Sequence, residues 1–277
     1  MIEKVGPVPL ADILAAQARL EGIAVRAPVA RCEAAPDGIT LDLKLESLQP
    51  ISSFKLRPIG NAVLTKPAAA LGEGIYTSSS GNSALAVAWM ARRLGLAATA
   101  VVPEATPEAK LSGLRRLGAV IERLPFQDWW RAIETGGLPG RAGCYIDAVR
   151  DPAALAGDGT IGIEILEQCP DVEAIFTPFG GGGLACGIAC AVRALKPSVK
   201  VIACEIETAA PFTAALAAGE RVVIPFDPGF VSGVGFGQVL PEMWPMVGEM
   251  IDGAMTVSLD EIAGAIRTLA ERNRVIA

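Results

Sequence analysis

The chain has no histidine, and that absence closes off more chemistry than any residue present. Ser-His-Asp triads, Cys-His dyads and the HExxH zinc pattern all need an imidazole. Acid-base work must therefore fall to lysine, carboxylates, hydroxyls or groups on a cofactor. Cys32, Cys144, Cys169, Cys186, Cys190 and Cys204 include no CxxC pair, and 277 residues are too many to depend on disulfides, so these cysteines read as buried small hydrophobes. Cys186 and Cys190 stand four apart on one helix face, but no further ligand converges on them, and core packing is favoured over a metal. A net charge of −6 with no basic stripe argues against a nucleic-acid surface; Arg92, Arg93, Arg115 and Arg116 read as solvated helix faces. The start lacks the apolar run of a secretory signal, which makes a cytoplasmic location the expectation. The longest uncharged run, 174–192, has the length of a membrane span, but Pro178 and four glycines interrupt it. A buried strand, a glycine loop and a helix explain it better.

What is present is rich in Ala, Gly and Val and poor in aromatics. That is the composition of a globular α/β protein large enough for two lobes. Apolar spacing predicts a helix over 10–20, and alternation over 39–45 predicts a strand leading into a lysine-bearing segment. A helix over 84–94, a strand over 97–102, a helix over 109–117 stopped by Gly118 and a strand over 119–124 follow. A second series reads as helix 159–168, strand 174–177, helix 184–195 and strand 200–204, with a last helix over 259–272. The breaker-rich stretch 135–140 separates the two series. This βαβ rhythm implies parallel sheets.

Three segments carry candidate chemistry. In Ser52-Ser53-Phe54-Lys55-Leu56-Arg57 a lone lysine sits in an otherwise apolar, hydroxyl-flanked run. Burial disfavours an ammonium, and a neutral amine can attack an aldehyde. Ser78-Ser79-Ser80-Gly81-Asn82-Ser83 offers hydroxyls, an amide and bare backbone, although Asn82 also reads as the N-cap of the next helix. Gly180, Gly181, Gly182 and Gly183 open a helix and could bring N–H groups around a phosphate; taken alone, such a run is an ordinary flexible turn.

These segments, in this order, resemble the pyridoxal-phosphate (PLP) dependent serine/threonine dehydratase and serine racemase family, the fold type II group. The segment 156–164 and the connection 195–201 also match, so the resemblance covers nearly the whole chain. It implies a two-lobed α/β fold with mostly parallel, helix-flanked sheets: residues 74–146 form a small lobe, 1–73 and 147–277 a discontinuous large one, and the cofactor lies between. Lys55 would hold PLP as a Schiff base and act as base on Cα, with Phe54, Asn82, Gly180 to Gly183, Leu184 and Gly233 around the cofactor. Asn82 would bond the ring hydroxyl, and Ser79, Ser80, Gly81 and Ser83 would grip the substrate carboxylate. Phe236 is the candidate for the side-chain pocket, and Ser80 stands where racemases keep a second, opposite-face base.

The implied reaction is α,β-elimination from threonine or serine to a 2-keto acid and ammonia. Racemisation or β-replacement is the alternative on the same fold, and a catalytically idle PLP-fold binding protein the non-enzyme one. The resemblance also implies a homodimer with a small amino-acid substrate, while charge and the interrupted apolar run argue against nucleic-acid and membrane partners. The family commonly has glycine where Ser52 stands and glycine-alanine at Pro58 and Ile59, so the turn at the lysine is expected to differ. Family members continue past the position of Ala277 with a strand and a serine or cysteine that faces the pyridine nitrogen. Glu205 aligns with a cation-binding carboxylate, but its usual aspartate partner falls at Pro211; a solvated or salt-bridged Glu205 is the expectation, and no metal.

Overall fold

A computed structural model describes residues 4–276 except 228, 232 and 235. The first helix, α1 (Leu10–Arg19), matches its apolar spacing and buries Ile13 and Ala16. Strands β1 (Val29–Arg31) and β2 (Asp42–Lys44) form a short antiparallel ribbon, so the predicted strand over 39–45 shrinks to three residues. Helix α2 (Leu56–Leu64) follows a 3-10 turn, Glu46–Leu48, and α3 (Ala68–Leu71) is a single turn. Lys55 is thus the residue that opens a helix rather than one just past a strand.

A parallel four-stranded sheet comes next in the chain. Strand β3 (Ile75–Ser78), helix α4 (Asn82–Leu94), β4 (Ala98–Pro103), α5 (Glu108–Arg116) and β5 (Val120–Leu124) alternate as the rhythm predicts. Then α6 (Phe126–Thr135) precedes β6 (Cys144–Tyr145), and the strand order is β5-β4-β3-β6. The order reverses beside β3. Open α/β sheets bind ligands outside the carboxyl ends of their strands at such a switch, and residues 79–83 leave β3 there.

The second parallel sheet has the order β7-β8-β9, with β7 (Ala174–Pro178) and β8 (Lys200–Ile206) bracketing helix α8 (Gly183–Leu195). Helix α7 (Pro152–Gln168) begins seven residues earlier than the periodicity indicated, because Asp151 caps it by accepting from the Ala153 N–H and proline starts its first turn. After β8 come α9 (Pro211–Ala218), α10 (Trp244–Met250) and β9 (Gly253–Val257). Helix α11 (Leu259–Thr268) opens on a Ser258–Glu261 capping box and passes at 269–273 into a π-turn, where the sequence predicted continuous α-helix.

Helices α7 and α8 face each other through glycines. A Cβ at Gly162 would lie 2.9 Å from the Ile188 carbonyl oxygen, and one at Gly187 2.6 Å from Asp158 Cβ. The main apolar cluster joins α1, α7 and α8 to β8 and α10; a second binds Leu56 and Ile59 of α2 to Ile75, Val87, Met90 and Ile146. Lys55 therefore stands at the end of a helix packed against both neighbourhoods. Among the described residues, no helix is long and apolar enough to cross a membrane.

Candidate active site

The lysine segment is held by its flanks. Arg57, 2% exposed, donates to Glu46 Oε1 at 2.8 Å, to Glu164 Oε1 at 2.7 Å and to the Val25 carbonyl at 3.0 Å; Lys44 Nζ meets Glu164 Oε2 at 2.5 Å. Arg57, Lys44 and Glu164 each have an opposite partner, which is what makes their burial tolerable. Burial alone would raise the Glu164 carboxyl, yet the hydrogen bonds from Arg57 and Lys44 outweigh it and hold the group below its ordinary value. Ser52 lies in the left-handed region at φ 57°, which explains why glycine suits this position. Pro58 does not disrupt the turn after the lysine, since it falls in the first turn of α2, where no helical carbonyl is available to its missing N–H.

Lys55 Nζ lies 4.7 Å from the centroid of the Phe54 ring, and no carboxylate lies within 4.0 Å of it among the described residues. Desolvation lowers its pKa from the ordinary lysine value, opposed by the fields of Asp158 and Asp147. The neutral, nucleophilic form is correspondingly more accessible. Of the two carboxyls, Asp147 is committed: it accepts from the Val149 and Arg150 N–H groups and from Arg150 Nε at 2.7 Å.

The glycine loop joins β7 to α8. Gly182, at φ 88°, is the N-cap and contributes no side chain, so the first N–H groups of a 13-residue helix stay open to an anion. Protein neighbours also demand these glycines: a Cβ would lie 2.8 Å from Val149 at Gly181, 3.0 Å from Val247 at Gly182 and 3.2 Å from the Ala148 carbonyl at Gly183. The loop is buttressed from behind. Phe179 stacks on Phe212 with centroids 5.1 Å apart, and Phe212 belongs to α9, whose N-terminus is held by Glu205.

That contact corrects the expectation for Glu205. It is fully buried rather than solvated or salt-bridged, and accepts from the Phe212 N–H at 2.9 Å, the Thr213 N–H at 2.7 Å and the Thr213 hydroxyl at 2.6 Å. With these bonds made it is a helix anchor, and Pro211 opens that helix. Among the described residues, no group of three metal-ligating side chains occurs. Cys186 and Cys190 are buried, and the buried environment pushes both thiols up, as core cysteines require; Cys144, Cys169 and Cys204 are only half-buried.

Ser79, Ser80, Gly81, Asn82 and Ser83 connect β3 to α4, with Ser79 Oγ accepting from the Gly81 N–H at 3.2 Å. Gly81, not Asn82, is the N-cap, and no side chain caps the helix; Asn82 is exposed, and Ser80 and Ser83 are half-buried. The alternative reading of Asn82 as a cap is thereby removed. Segment 144–149 brings the loops together. It pairs with β3 through Tyr76 and Tyr145, its Ile146 N–H donates to the Tyr76 carbonyl, and Ala148 and Val149 touch the glycine loop. Phe54 and Leu184 pack on one apolar cluster. Phe236 is half-buried and meets Trp130 of α6, centroids 5.8 Å apart, while Gly233 is exposed with open space around it. Neither makes a described contact with Lys55.

Sequence reading missed Asp158 as a functional residue. It is fully buried on α7, with both carboxylate oxygens lacking hydrogen-bond partners. Its letter was visible in segment 156–164; its burial came only from packing. Trp130 had no signal.

A model of the pyridoxal-phosphate dependent enzymes matches residues 22–277. The chain belongs to that family. It is 34% identical over 241 residues to an L-threonine ammonia-lyase of Geobacter sulfurreducens, covering 86% of this chain and 60% of the relative. The solved processed form of threonine deaminase isoform 2 from Solanum lycopersicum superposes with a TM-score of 0.87 at 32% identity, covering 100% of this chain and 83% of that one. Maize serine racemase superposes at 0.88 with 28% identity, covering 98% and 83%. The fold is thus fold type II. The chain spans 40% to 60% of the length of four curated threonine ammonia-lyase or dehydratase relatives.

The family's cofactor is pyridoxal phosphate, and the residues present fit it. Among the described residues, an amine without an ion-pair partner suits an aldehyde, a side-chain-free helix N-terminus suits a phosphate, and Thr177 Oγ1, at the end of β7 before the glycine loop, is buried without a hydrogen-bond partner.

Proposed function

We propose that the chain is a pyridoxal-phosphate dependent ammonia-lyase that converts threonine or serine to a 2-keto acid and ammonia. The observation that carries this is Lys55: a desolvated amine at the head of α2 with no carboxylate within 4.0 Å among the described residues. When bound, the cofactor supplies an electron sink for the carbanion formed at Cα. Lys55 Nζ is the amine that would hold the cofactor's aldehyde and, unprotonated, would take the Cα proton. A lowered lysine pKa favours both roles, because each needs an unprotonated nitrogen.

The N–H groups of Gly180 to Gly183 and Leu184 at the start of α8 would hold the phosphate, and Asn82 would bond the ring hydroxyl. Ser79, Ser80, Gly81 and Ser83, at the N-terminus of α4, grip the substrate carboxylate, where a helix start favours negative charge. Phe236 shapes the side-chain pocket, and Gly233 would lie beside the cofactor. With no histidine in the chain, imidazole plays no part in hydroxyl departure.

Racemisation is the second reading. It draws on half-buried Ser80 and on the 0.88 TM-score to maize serine racemase. We further infer a small lobe of residues 74–146 within a large lobe of 1–73 and 147–277, a homodimer and a cytoplasmic location. The residue spans of the two parallel sheets support the lobe division.

The test is the visible spectrum of purified protein beside Lys55→Ala, followed by L-threonine and L-serine with keto-acid detection. An absorbance band lost in the variant, with keto acid from wild type only, is the expected result. A band with D-serine formed instead of keto acid would move the assignment to racemase, and no band in PLP-supplemented wild type would sink the cofactor assignment.

A further inference from the structure

Between α2, α7 and α8 lie two charge-bearing side chains that the surrounding ion pairs leave out. The Arg57 guanidinium is committed to Glu46, Glu164, Thr160 and the Val25 carbonyl, and Lys44 is committed to Glu164. Asp158, fully buried, has no donor on either oxygen, and Lys55 has no carboxylate within 4.0 Å among the described residues. At this level α7 packs closely on both α8 and α2. A Cβ on Gly187 of α8 would lie 2.6 Å from Asp158 Cβ, and one on its neighbour Gly157 would lie 2.8 Å from the Arg57 carbonyl carbon, two residues after Lys55.

We propose that Asp158 is a positioning residue for Lys55, a buried carboxyl whose own protonation sets how readily the lysine amine is neutral. This rests on Lys55 being the reactive amine of the site. An interior carboxylate without hydrogen bonds is costly, and a nearby cation offsets part of that cost by Coulomb attraction. Burial pushes the Asp158 carboxyl up to about 7, with Lys55 pulling it down, Glu46 pushing it up and Arg57 pulling it down. Cys186 faces it from α8 and is kept neutral by burial. The other charged groups around it are paired, so Lys55 is the partner whose state responds. Below neutrality Asp158 is uncharged, and desolvation of Lys55 is then opposed only by the field of Asp147, which is held by Arg150. Above neutrality its carboxylate stabilises the ammonium, drawing Lys55 back toward the protonated form.

The experiment uses the full chain freed of cofactor, so its readout does not depend on turnover. Acetic anhydride is applied over pH 5.5 to 9.5, and mass spectrometry compares acetylation of Lys55 with that of Lys110, an exposed reference on α5. In wild type the Lys55 to Lys110 ratio bends near pH 7, where Asp158 titrates. In Asp158→Asn the bend is lost and Lys55 is more reactive above pH 7, because the field favouring the ammonium is gone. Identical profiles in the two proteins would overturn the proposal.

Should Asp158→Asn not fold, Lys55→Met provides an independent reading. Isotope-edited infrared spectra of the Asp158 carboxyl move its titration to higher pH when the cation is removed; an unmoved titration counts against the proposal. The reading of Lys55 as cofactor lysine fails separately, if borohydride fixes the cofactor on another residue.

Discussion

Alanine at Gly157 tests whether the seat of Lys55 depends on close contact between α2 and α7. A Cβ there would lie 2.8 Å from the Arg57 carbonyl carbon and from Pro58 Cα, and nearer still to the Arg57 carbonyl oxygen, whereas ordinary contact begins at 3.4 Å. These are backbone atoms, so no side-chain rotation relieves the overlap, and the two helices must separate by roughly 0.6 Å or more. Overpacking of this kind costs about 1–3 kcal/mol. The helix preference for alanine returns about 1 kcal/mol, which leaves a net loss of about 1–2 kcal/mol at the upper end of the overpacking range.

For a chain of this size that lowers Tm by roughly 2–8 °C. Because the displaced carbonyl is two residues from Lys55, cofactor occupancy and kcat/KM fall with it, by about tenfold if a displacement near 1 Å costs up to about 100-fold. Differential scanning fluorimetry and fixation of the cofactor by borohydride measure the two effects. Gly264→Ala in exposed α11, where a Cβ meets nothing within 4 Å, is the control and raises stability by up to about 1 kcal/mol. Wild-type Tm and occupancy in Gly157→Ala would refute the close packing argued here.

Three further outcomes follow from the same contacts. Glu164→Gln leaves Arg57 and Lys44 short of a buried counter-charge and costs on the order of 3 kcal/mol by urea unfolding. In wild type, the stability Glu164 confers is complete above its unfolded value near 4.5 and is lost as pH falls through its lower folded value, so unfolding midpoints measured from pH 6 to pH 3 drop less steeply in Glu164→Gln. Ser52→Gly removes a left-handed serine and raises stability by about 1 kcal/mol, read as a higher Tm with unchanged cofactor content. Glu205→Ala strips the N-terminus of α9 of three hydrogen bonds, costs about 1–2 kcal/mol in thermal unfolding and weakens cofactor retention through Phe212 and Phe179.

Elements with local signals were legible in the sequence. Helix α4 follows a loop of serines and ends on Gly95 in the left-handed conformation, and α8 follows its glycine run; both were bounded to within two residues. Elements whose stability comes from distant contacts were not. Helix α6 opens on exposed Phe126 and carries half-buried Trp129 and Trp130, the latter resting on Phe236 from far along the chain. The prolines at the starts of α2 and α7 hide first turns that structure accommodates easily. Lys55, Asn82 and the glycine loop stood out by residue type and order, but Glu205 and Asp158 could not be interpreted that way. A carboxyl reads as solvated until its surroundings are known, and here one anchors a helix while the other is buried with no hydrogen-bond partner among the described residues.

The central claim is that Lys55 carries the cofactor and the proton transfer at Cα, and one measurement addresses both parts. Wild type and Lys55→Ala are loaded with pyridoxal phosphate, reduced with borohydride and digested for mass spectrometry, while unreduced portions are assayed for keto acid from L-threonine. The account predicts a phosphopyridoxyl group on the peptide containing Lys55, and keto acid from wild type alone. Modification of a different lysine, or keto acid at the wild-type rate from Lys55→Ala, would contradict it.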